Sequence, residues 1–364
     1  MLLPFRSFLW PVFAISAVCF AQMDRNAGPL PPVPPDPLEL VTAPAQPTSD
    51  PESRQAAIAM LNRARMLSNV RAQPYHLKTS FIASGGTAGD GTWALEDVSP
   101  GQSKYRWTAT GPGYSAVNLY TDSTRGILYS NAPSTAAPLR LAQVRNALFF
   151  VFPNLGPYAS IRTAPGSLNG VEQRCVLVVQ GAGSRVFDGA RNWEESEFCM
   201  DANSGLLTTY SPAPGLFVHY DYSAGIQFHG KSIAGAFTIT EAGRTVVDAK
   251  TVGVAEPPAA DNAMFTTAGL TAAGVGRTMT PAGHMRFHVP SSDSTNIQVV
   301  VLHGTISASG GVEQVEVLAS SDPTKDQTAL ARFGKAPAMF GTSPGATAPS
   351  SEVFMTVEFV PAGH

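Results

Sequence analysis

Residues 198–207 read Phe-Cys-Met-Asp-Ala-Asn-Ser-Gly-Leu-Leu, and this stretch is informative about the fold. Apolar residues flank a short polar run, in which Asp201 and Asn203 suit a tight turn and Gly205 suits a positive φ. The pattern predicts a strand, a turn and a second strand. A similar unit follows at 217–233, so this region is expected to form antiparallel hairpins.

The same β pattern extends far in both directions from this hairpin. Short alternating runs, separated by glycine-rich turns, recur between residues 75 and 265. They include one strand at 232–240, and no strand is predicted between residues 130 and 170. Apolar residues at helical spacing predict helices at 52–69 and 139–152, the first capped by Ser49 or Asp50. Because a large sheet needs its apolar face covered, these helices are expected to cover it. The predicted fold class is α+β, with a large curved antiparallel sheet, two helices and a small C-terminal β-β-α-β module.

The cysteines indicate an oxidising compartment. The chain has three, of which Cys19 lies in the N-terminal apolar segment. Cys175 and Cys199 each lie in a strand-like segment, and a disulfide between neighbouring strands is expected. Two buried free thiols are the alternative. No second cysteine or histidine follows at the spacing of zinc ligands.

The N-terminal residues predict export. Residues 1–21 have the features of a secretory signal, with Arg6 before an apolar run and small residues near a cleavage point at Ala21. An uncleaved inner-membrane anchor and a lipoprotein signal acylated at Cys19 are the alternatives. Residues 22–50 are expected to form an extended proline-rich linker. The predicted location is the periplasm or the exterior.

Charge and hydropathy exclude two classes of protein. The 24 basic and 27 acidic side chains leave a net charge of −3, which argues against a nucleic-acid-binding protein. Apolar runs are too short and too often interrupted for a polytopic membrane protein.

Residues 51–268 resemble the LolA/LolB-like superfamily of periplasmic lipoprotein carriers. The resemblance rests on the order of the elements, from an N-terminal helix into a long antiparallel sheet, and on the cysteine-bearing hairpin at 198–207. It implies a concave apolar sheet face that binds acyl chains or a partner. The candidate lining of this cavity, with ordinary core packing as the alternative, consists of Phe81, Trp93, Tyr105, Trp107 and Tyr120.

Residues 287–361 resemble the TonB C-terminal domain. They follow a Gly-, Ala- and Thr-rich segment, 269–286, that is expected to link two domains, the second spanning 287–364. The resemblance rests on a strand at 297–306, a glycine turn, a strand at 312–318, a helix and a closing strand. It implies β-augmentation, in which an extended peptide of another envelope protein pairs with an exposed edge strand. The candidate edge strand carries Val353, Met355, Val357 and Phe359.

No pattern in the sequence supports catalysis or a cofactor. A Gly-x-Ser-x-Gly match at 341–345 places a proline directly after Ser343, outside any strand-to-helix context. His284 and His288 are expected to be exposed in a loop, and the acidic group at 194–197 is expected on the exposed face of a strand. The chain is therefore predicted not to be an enzyme and to need no cofactor.

Several functions remain open at this point. The first is an exported non-catalytic envelope protein with a TonB-like partner-binding module. The second is a periplasmic lipid or lipoprotein carrier or sensor, in which the large domain is the functional part. A membrane-anchored TonB-type energy transducer and a hydrolase using Ser343 are the other two alternatives.

Overall fold

The computed structural model describes residues 30–34, 45–48, 50–85, 89–101, 104–121, 127–130, 138–180, 191–271, 274–275, 280–292, 296–306, 311–334 and 351–361. The predicted signal at 1–21 and the Gly-x-Ser-x-Gly segment at 341–345 lie outside these residues. Among the helices in the described ranges, none is both long enough and apolar enough to cross a membrane.

The first helix, α1 (Pro51–Ser68), begins where the sequence predicts it. The Asp50 side chain accepts a hydrogen bond from the backbone N–H of Ser53 at 2.8 Å. Pro51, which has no N–H, occupies the first turn, where no intrahelical acceptor is available. One face of α1 packs against the sheet through Ala57, Leu61 and Ala64.

Six described strands precede the second helix, and all but the first of them form a meander. They are β1 (Gln46–Pro47), β2 (Tyr75–Ala83), β3 (Gly91–Gly101), β4 (Lys104–Gly111), β5 (Tyr114–Tyr120) and β6 (Ile127–Ser130). The second helix, α2, spans Leu139–Phe149. The strands after it are β7 (Ser160–Leu168), β8 (Val171–Val179), β9 (Ser196–Asp201), β10 (Leu207–Ala213), β11 (Leu216–Asp221), β12 (Ile226–Phe228), β13 (Lys231–Ile233), β14 (Ala236–Glu241), β15 (Arg244–Ala255) and β16 (Gly274–Val275).

In the described chain, fourteen of these strands form one antiparallel sheet. Its order is β1-β7-β8-β9-β10-β11-β14-β15-β2-β3-β4-β5-β6-β16. The pairing of β15 with β2 joins the strands that precede α2 to those that follow it. The predicted large antiparallel sheet and its hairpin at 198–207 are confirmed.

Two details differ from the predicted strands. Strand β7 was not predicted, and the single strand expected at 232–240 is divided into β13 and β14. The division falls near Gly235, where an added Cβ would lie 2.4 Å from the carbonyl oxygen of Ala224. This close backbone contact holds the separate β12–β13 hairpin beside the main sheet.

The C-terminal part forms a second, mixed sheet. Its elements are β17 (Thr280–Ser291), β18 (Gln298–Ile306), β19 (Val312–Ser320), α3 (Asp326–Phe333) and β20 (Ser351–Pro361). The predicted β-β-α-β order is present from β18 to β20, and β17 is added in parallel to β20. The strand order is β17-β20-β18-β19.

The prediction that the last strand is an edge strand is wrong. Strand β20 pairs with β17 on one side and with β18 on the other, so it has no free edge for an added peptide. The edge was predicted from the TonB resemblance, and β17 was not foreseen as a neighbouring strand because its first residues, 280–286, were assigned to the linker. The predicted edge residues are buried in the core of this sheet: Val353, Met355, Val357 and Phe359.

Two predicted linkers contribute to the folded body. The segment at 269–286 supplies β16, which pairs with β6, and the start of β17. In the proline-rich segment, Pro31 accepts a hydrogen bond from the Trp193 indole at 2.8 Å, and Leu30 and Val33 pack against the main core. A sequence rich in small residues or in proline therefore did not prevent these segments from packing against the folded body, because their backbone still offers hydrogen-bond acceptors. The division into separate domains stays a prediction.

Helix α2 lies between the two sheets and is buried along nearly its whole length. The largest hydrophobic cluster combines residues from the large sheet, from α2 and from the C-terminal sheet. The large sheet contributes Trp93 and Val247 to this cluster, and α2 contributes Leu141 and Val144. The C-terminal sheet contributes Phe354. The C-terminal sheet thus covers the side of α2 that the large sheet does not.

Candidate functional site

A cavity of about 950 Å³ lies beside the C-terminal ends of α1 and α2. Its size falls in the range of small-molecule sites in proteins, which is about 300–1,000 Å³. The wall combines the large sheet, the segments that follow both helices, and part of the C-terminal sheet.

The helix ends bring two segments to the same side of the cavity. Helix α1 ends where the N–H of Asn69 donates to the carbonyl of Arg65. Helix α2 ends where the N–H of Phe150 donates to the carbonyl of Asn146. The last turn of each helix and the residues that follow it supply side chains to the wall, basic and aromatic ones among them. They are Arg65, Ser68, Asn69, Val70 and Arg71 from the first segment, and residues 147–154 from the second.

The sheet forms an aromatic and aliphatic floor. Tyr220 donates a hydrogen bond from its hydroxyl to the carbonyl of Ala147 at 2.7 Å, which links the floor to α2. Tyr222 donates to the carbonyl of Leu207 at 3.0 Å. Burial raises the pKa of both tyrosines above the usual value, so both stay neutral donors. The other floor residues include Leu77, Val178, Phe198, Tyr210 and Phe237.

The C-terminal sheet closes a third side through His284, Arg286 and Phe354. Arg286 makes a two-point ion pair with Glu194, with N–O distances of 2.6 and 2.5 Å. His284 lies 2.7 Å from the hydroxyl of Thr356. Burial, and then the nearby charges of Arg191 and Arg286, lower the pKa of His284 to about 3, so its ring is neutral. The polar side chains on this side of the cavity are therefore already hydrogen-bonded or ion-paired within the protein.

The five aromatic residues predicted to line a cavity do not line this one. Phe81 and Trp93 stack on each other in the main core, with ring centroids 5.6 Å apart, and Trp107 is buried in the same cluster. Tyr105 donates to Asp97 at 2.7 Å, and Tyr120 is 37% exposed. The alternative of core packing describes Phe81, Trp93, Tyr105 and Trp107.

Sequence reasoning missed the actual floor, although a signal for it was present. Tyr220 and Tyr222 alternate along a predicted strand, and Phe149, Phe150 and Phe152 cluster at the end of a predicted helix. An aromatic cluster at a helix end, opposite alternating tyrosines, is the pattern that marks this cavity. Their meeting depends on the placement of α2 over the sheet, which no local pattern indicates.

The acidic group beside Trp193 is buried, contrary to the prediction of exposure. Glu195 makes a two-point ion pair with Arg162, at 2.7 and 2.6 Å, and both side chains are almost fully buried. Glu197 is also buried and lies 3.5 Å from Arg191. The partner of Glu195 comes from a strand 33 residues away, which explains why local sequence did not indicate the pairing.

The two histidines predicted to be exposed in a loop are on β17. His284 lines the cavity, and His288 lies 3.0 Å from Glu358. The prediction of a loop failed because the prolines and glycines nearby were interpreted as a linker, whereas the pairing of β17 with β20 makes this segment a strand.

The predicted disulfide between Cys175 and Cys199 is confirmed. The two residues are direct cross-strand partners in β8 and β9. With the Glu197 carboxylate they form the sole candidate metal-binding group in the described ranges, but both sulfur atoms are used in the disulfide. This group therefore has no thiolate to offer a metal ion.

No protein-family model and no curated protein matches the chain. The structure is similar to that of a LolA superfamily protein from Nitrosomonas europaea, with 8% identity, a TM-score of 0.37, and coverage of 58% of this chain and 97% of that one. It is also similar to a putative outer membrane lipoprotein-sorting protein domain from Vibrio parahaemolyticus, with 7% identity, a TM-score of 0.34 and the same coverage. Neither structure is described as a TonB protein.

Proposed function

We propose that the protein is a non-catalytic carrier or sensor that holds the apolar chain of a lipid or lipoprotein. The observation that carries this proposal is the cavity of about 950 Å³ with its aromatic and aliphatic floor. Moving apolar surface from water into such a site is favourable by about 25 cal/mol per Å². An acyl chain is the simplest biological ligand that would exploit this surface.

The polar groups of the floor and of the C-terminal sheet support the same proposal because they already have partners. The hydroxyls of Tyr220 and Tyr222 donate to backbone carbonyls, and Arg286 is paired with Glu194. An apolar ligand would therefore leave few polar groups newly unsatisfied, which is the main cost of burying a polar wall.

The same pairing favours binding over catalysis. The wall residues Ser68 and Ser196 each donate their hydroxyl to a backbone carbonyl, at 2.9 and 3.0 Å. His284 bonds to a threonine hydroxyl, and among the described residues neither serine is hydrogen-bonded to a histidine. A nucleophile needs a base within hydrogen-bond reach. In the described part of the wall we find no such pair, and we propose that the protein is not an enzyme.

The test is to identify what the cavity holds. The full chain would be purified after expression with its own N-terminal segment, extracted with organic solvent and analysed by mass spectrometry. We expect co-purifying lipids, and we expect Leu148→Trp to reduce them, because Leu148 lines the cavity and is half-buried. Leu155→Trp is the matched control, since Leu155 is also half-buried but does not line the cavity. A folded wild-type protein that carries no lipid and binds no apolar probe would contradict the proposal.

We also propose that this carrier works outside the cytoplasm, after cleavage near Ala21. The support is the signal-like sequence at 1–21 and the buried disulfide between Cys175 and Cys199, a bond typical of exported proteins. The intact mass of the protein recovered from its host tests this. A mass that includes residues 1–21 would favour the anchored alternative. Binding of an envelope protein stays a prediction with no strand assigned to it.

A further inference from the structure

The cavity has one basic end, formed by Arg65 and Arg71. The Nη2 of Arg65 donates hydrogen bonds to the carbonyls of Phe152 and Pro153, at 3.2 and 2.6 Å. The Arg71 guanidinium lies 4.6 Å from the centroid of the Phe150 ring. Both guanidinium groups therefore contact the same stretch of wall, the segment that follows α2.

Neither of these arginines is paired with a carboxylate among the described residues. Arg286, the third arginine of the wall, differs because Glu194 neutralises it. A further cation, the ammonium of Lys231, donates to the carbonyl of Met66 near the end of α1. Both helices end here, and the C-terminus of each carries a partial charge of about −0.5, so together they offset only part of three positive charges. This end of the cavity therefore has a positive potential.

We propose that the cavity selects an amphiphile with an anionic end. The apolar chain occupies the aromatic and aliphatic interior, and a carboxylate or phosphate accepts hydrogen bonds from Arg71 and Arg65. Guanidinium groups bind both anions through paired N–H donors, and charge-assisted bonds are about twice as strong as neutral ones. This inference rests on the proposed function, because it names the chemical class of ligand for the same cavity.

Three probes that share a 16-carbon chain and differ in their head group test the inference. Palmitate, hexadecyl phosphate and hexadecanol would each be titrated into delipidated full-length protein, with displacement of an apolar fluorophore as the signal. We expect at least one of the two anions to bind about tenfold or more tightly than the alcohol, as one charge-assisted bond implies. The tighter of the two anions identifies whether the ligand resembles a fatty acid or a phosphorylated lipid.

Arg71→Gln is the variant that isolates the head group contact. Arg71 is exposed and has no ion pair with another described residue, so the variant is expected to fold. We expect it to weaken binding of the preferred anion about tenfold and to leave hexadecanol unchanged, and Arg71→Lys to restore part of the loss. Arg63→Gln is the matched control, because it removes the same charge from α1 outside the cavity.

The outcomes separate this inference from the proposed function. If hexadecanol binds as tightly as both anions, the protein still binds apolar chains and the anionic selection is overturned. Equal losses of anion binding in Arg71→Gln and Arg63→Gln also overturn it, because they would show that the overall charge, and not a contact with the head group, causes the loss. If none of the three probes binds to the folded protein, the proposed function fails and the inference fails with it.

Discussion

His303 of the C-terminal sheet lies 2.9 Å from Glu241 of the large sheet, with both side chains almost completely buried. The other ring nitrogen of His303 lies 2.6 Å from Glu352. Arg140 of α2 donates to the second oxygen of Glu241 at 2.6 Å. These contacts join α2 and both sheets through one buried network of charges, which we call the His303 clamp.

Substitution of His303 is expected to destabilise the protein strongly. His303→Ala leaves two buried carboxylates without a shared cation, and removal of one partner from a buried pair costs about 3–5 kcal/mol. The free energy of unfolding from urea denaturation measures the loss. His288→Ala is the control, because His288 is partly exposed and contacts one carboxylate, and we expect it to cost about 1 kcal/mol or less. Equal losses in the two variants would contradict the clamp.

The His303 clamp also predicts how stability depends on pH. Although burial alone would lower it, the hydrogen bonds and charges of Glu241 and Glu352 raise the pKa of His303 to about 9. A histidine whose pKa is raised on folding contributes stability that is full below about 6.5. This contribution is lost as pH rises through about 9. Glu316, which faces Arg140 and Glu241, titrates near neutrality, because burial and Glu241 raise its pKa to about 7.

The raised pKa values of His303 and Glu316 both make stability fall as pH rises. For Glu316, whose pKa is raised to about 7, this fall lies between about pH 4.5 and pH 7, so it precedes most of the fall that His303 causes. Glu241 has the opposite sign, since the contacts with His303 hold its pKa below the usual value despite burial. We expect the unfolding free energy of the wild type to fall between pH 6.5 and pH 10, and the fall to be smaller in His303→Gln. An identical pH profile in the two proteins would refute this assignment.

Elements that depend on local chemistry were predictable from the sequence. The start of α1 follows from Asp50, Pro51 and the spacing of Ala57 and Leu61, all within a few residues of one another. The hairpin at 198–207 follows from its turn residues in the same way. Each of these signals acts over a short distance along the chain, so it can be recognised before the fold is known.

Elements that depend on distant contacts were not predictable. The interior position of β20 requires β17, which begins more than 60 residues earlier and whose sequence resembles a linker. The cavity floor meets α2 through Tyr220 and Ala147, which are 73 residues apart. The charges of the His303 clamp come from α2 and both sheets. Local patterns contain no information on which of several sheet faces α2 will cover.

Contact between the two sheets at Gly215 provides a further prediction. Gly215 has a φ of +83°, and an added Cβ would lie 2.1 Å from the carbonyl oxygen of Leu318 in β19. Gly215→Ala must therefore move the turn between β10 and β11 away from the C-terminal sheet. Gly243→Ala is the matched control, because Gly243 has a φ of +75° and no atom of the described residues lies within 4 Å of an added Cβ.

The difference between these two variants isolates the inter-sheet contact. Both substitutions carry the backbone cost of a positive φ, which is about 1–2 kcal/mol. We expect Gly215→Ala to lose about 1–3 kcal/mol more than Gly243→Ala, as is typical of overpacking at a closed contact. Thermal unfolding of the two variants measures the difference. Equal melting temperatures would show that the sheets are not in close contact at Leu318.

The buried disulfide is expected to stabilise the large sheet and to resist reduction while the protein is folded. Cys175 and Cys199 are separated by 24 residues, and closing a loop of this length stabilises a protein by about 3 kcal/mol in the chain-entropy model. Replacing both cysteines with alanine is expected to lower the unfolding free energy by about that amount. Because neither residue is accessible, thiol labelling in mild reductant should detect few free thiols until denaturant is added. Rapid labelling of the native protein under reductant alone, or an unchanged unfolding midpoint in the double variant, would show that the bond does not protect the sheet.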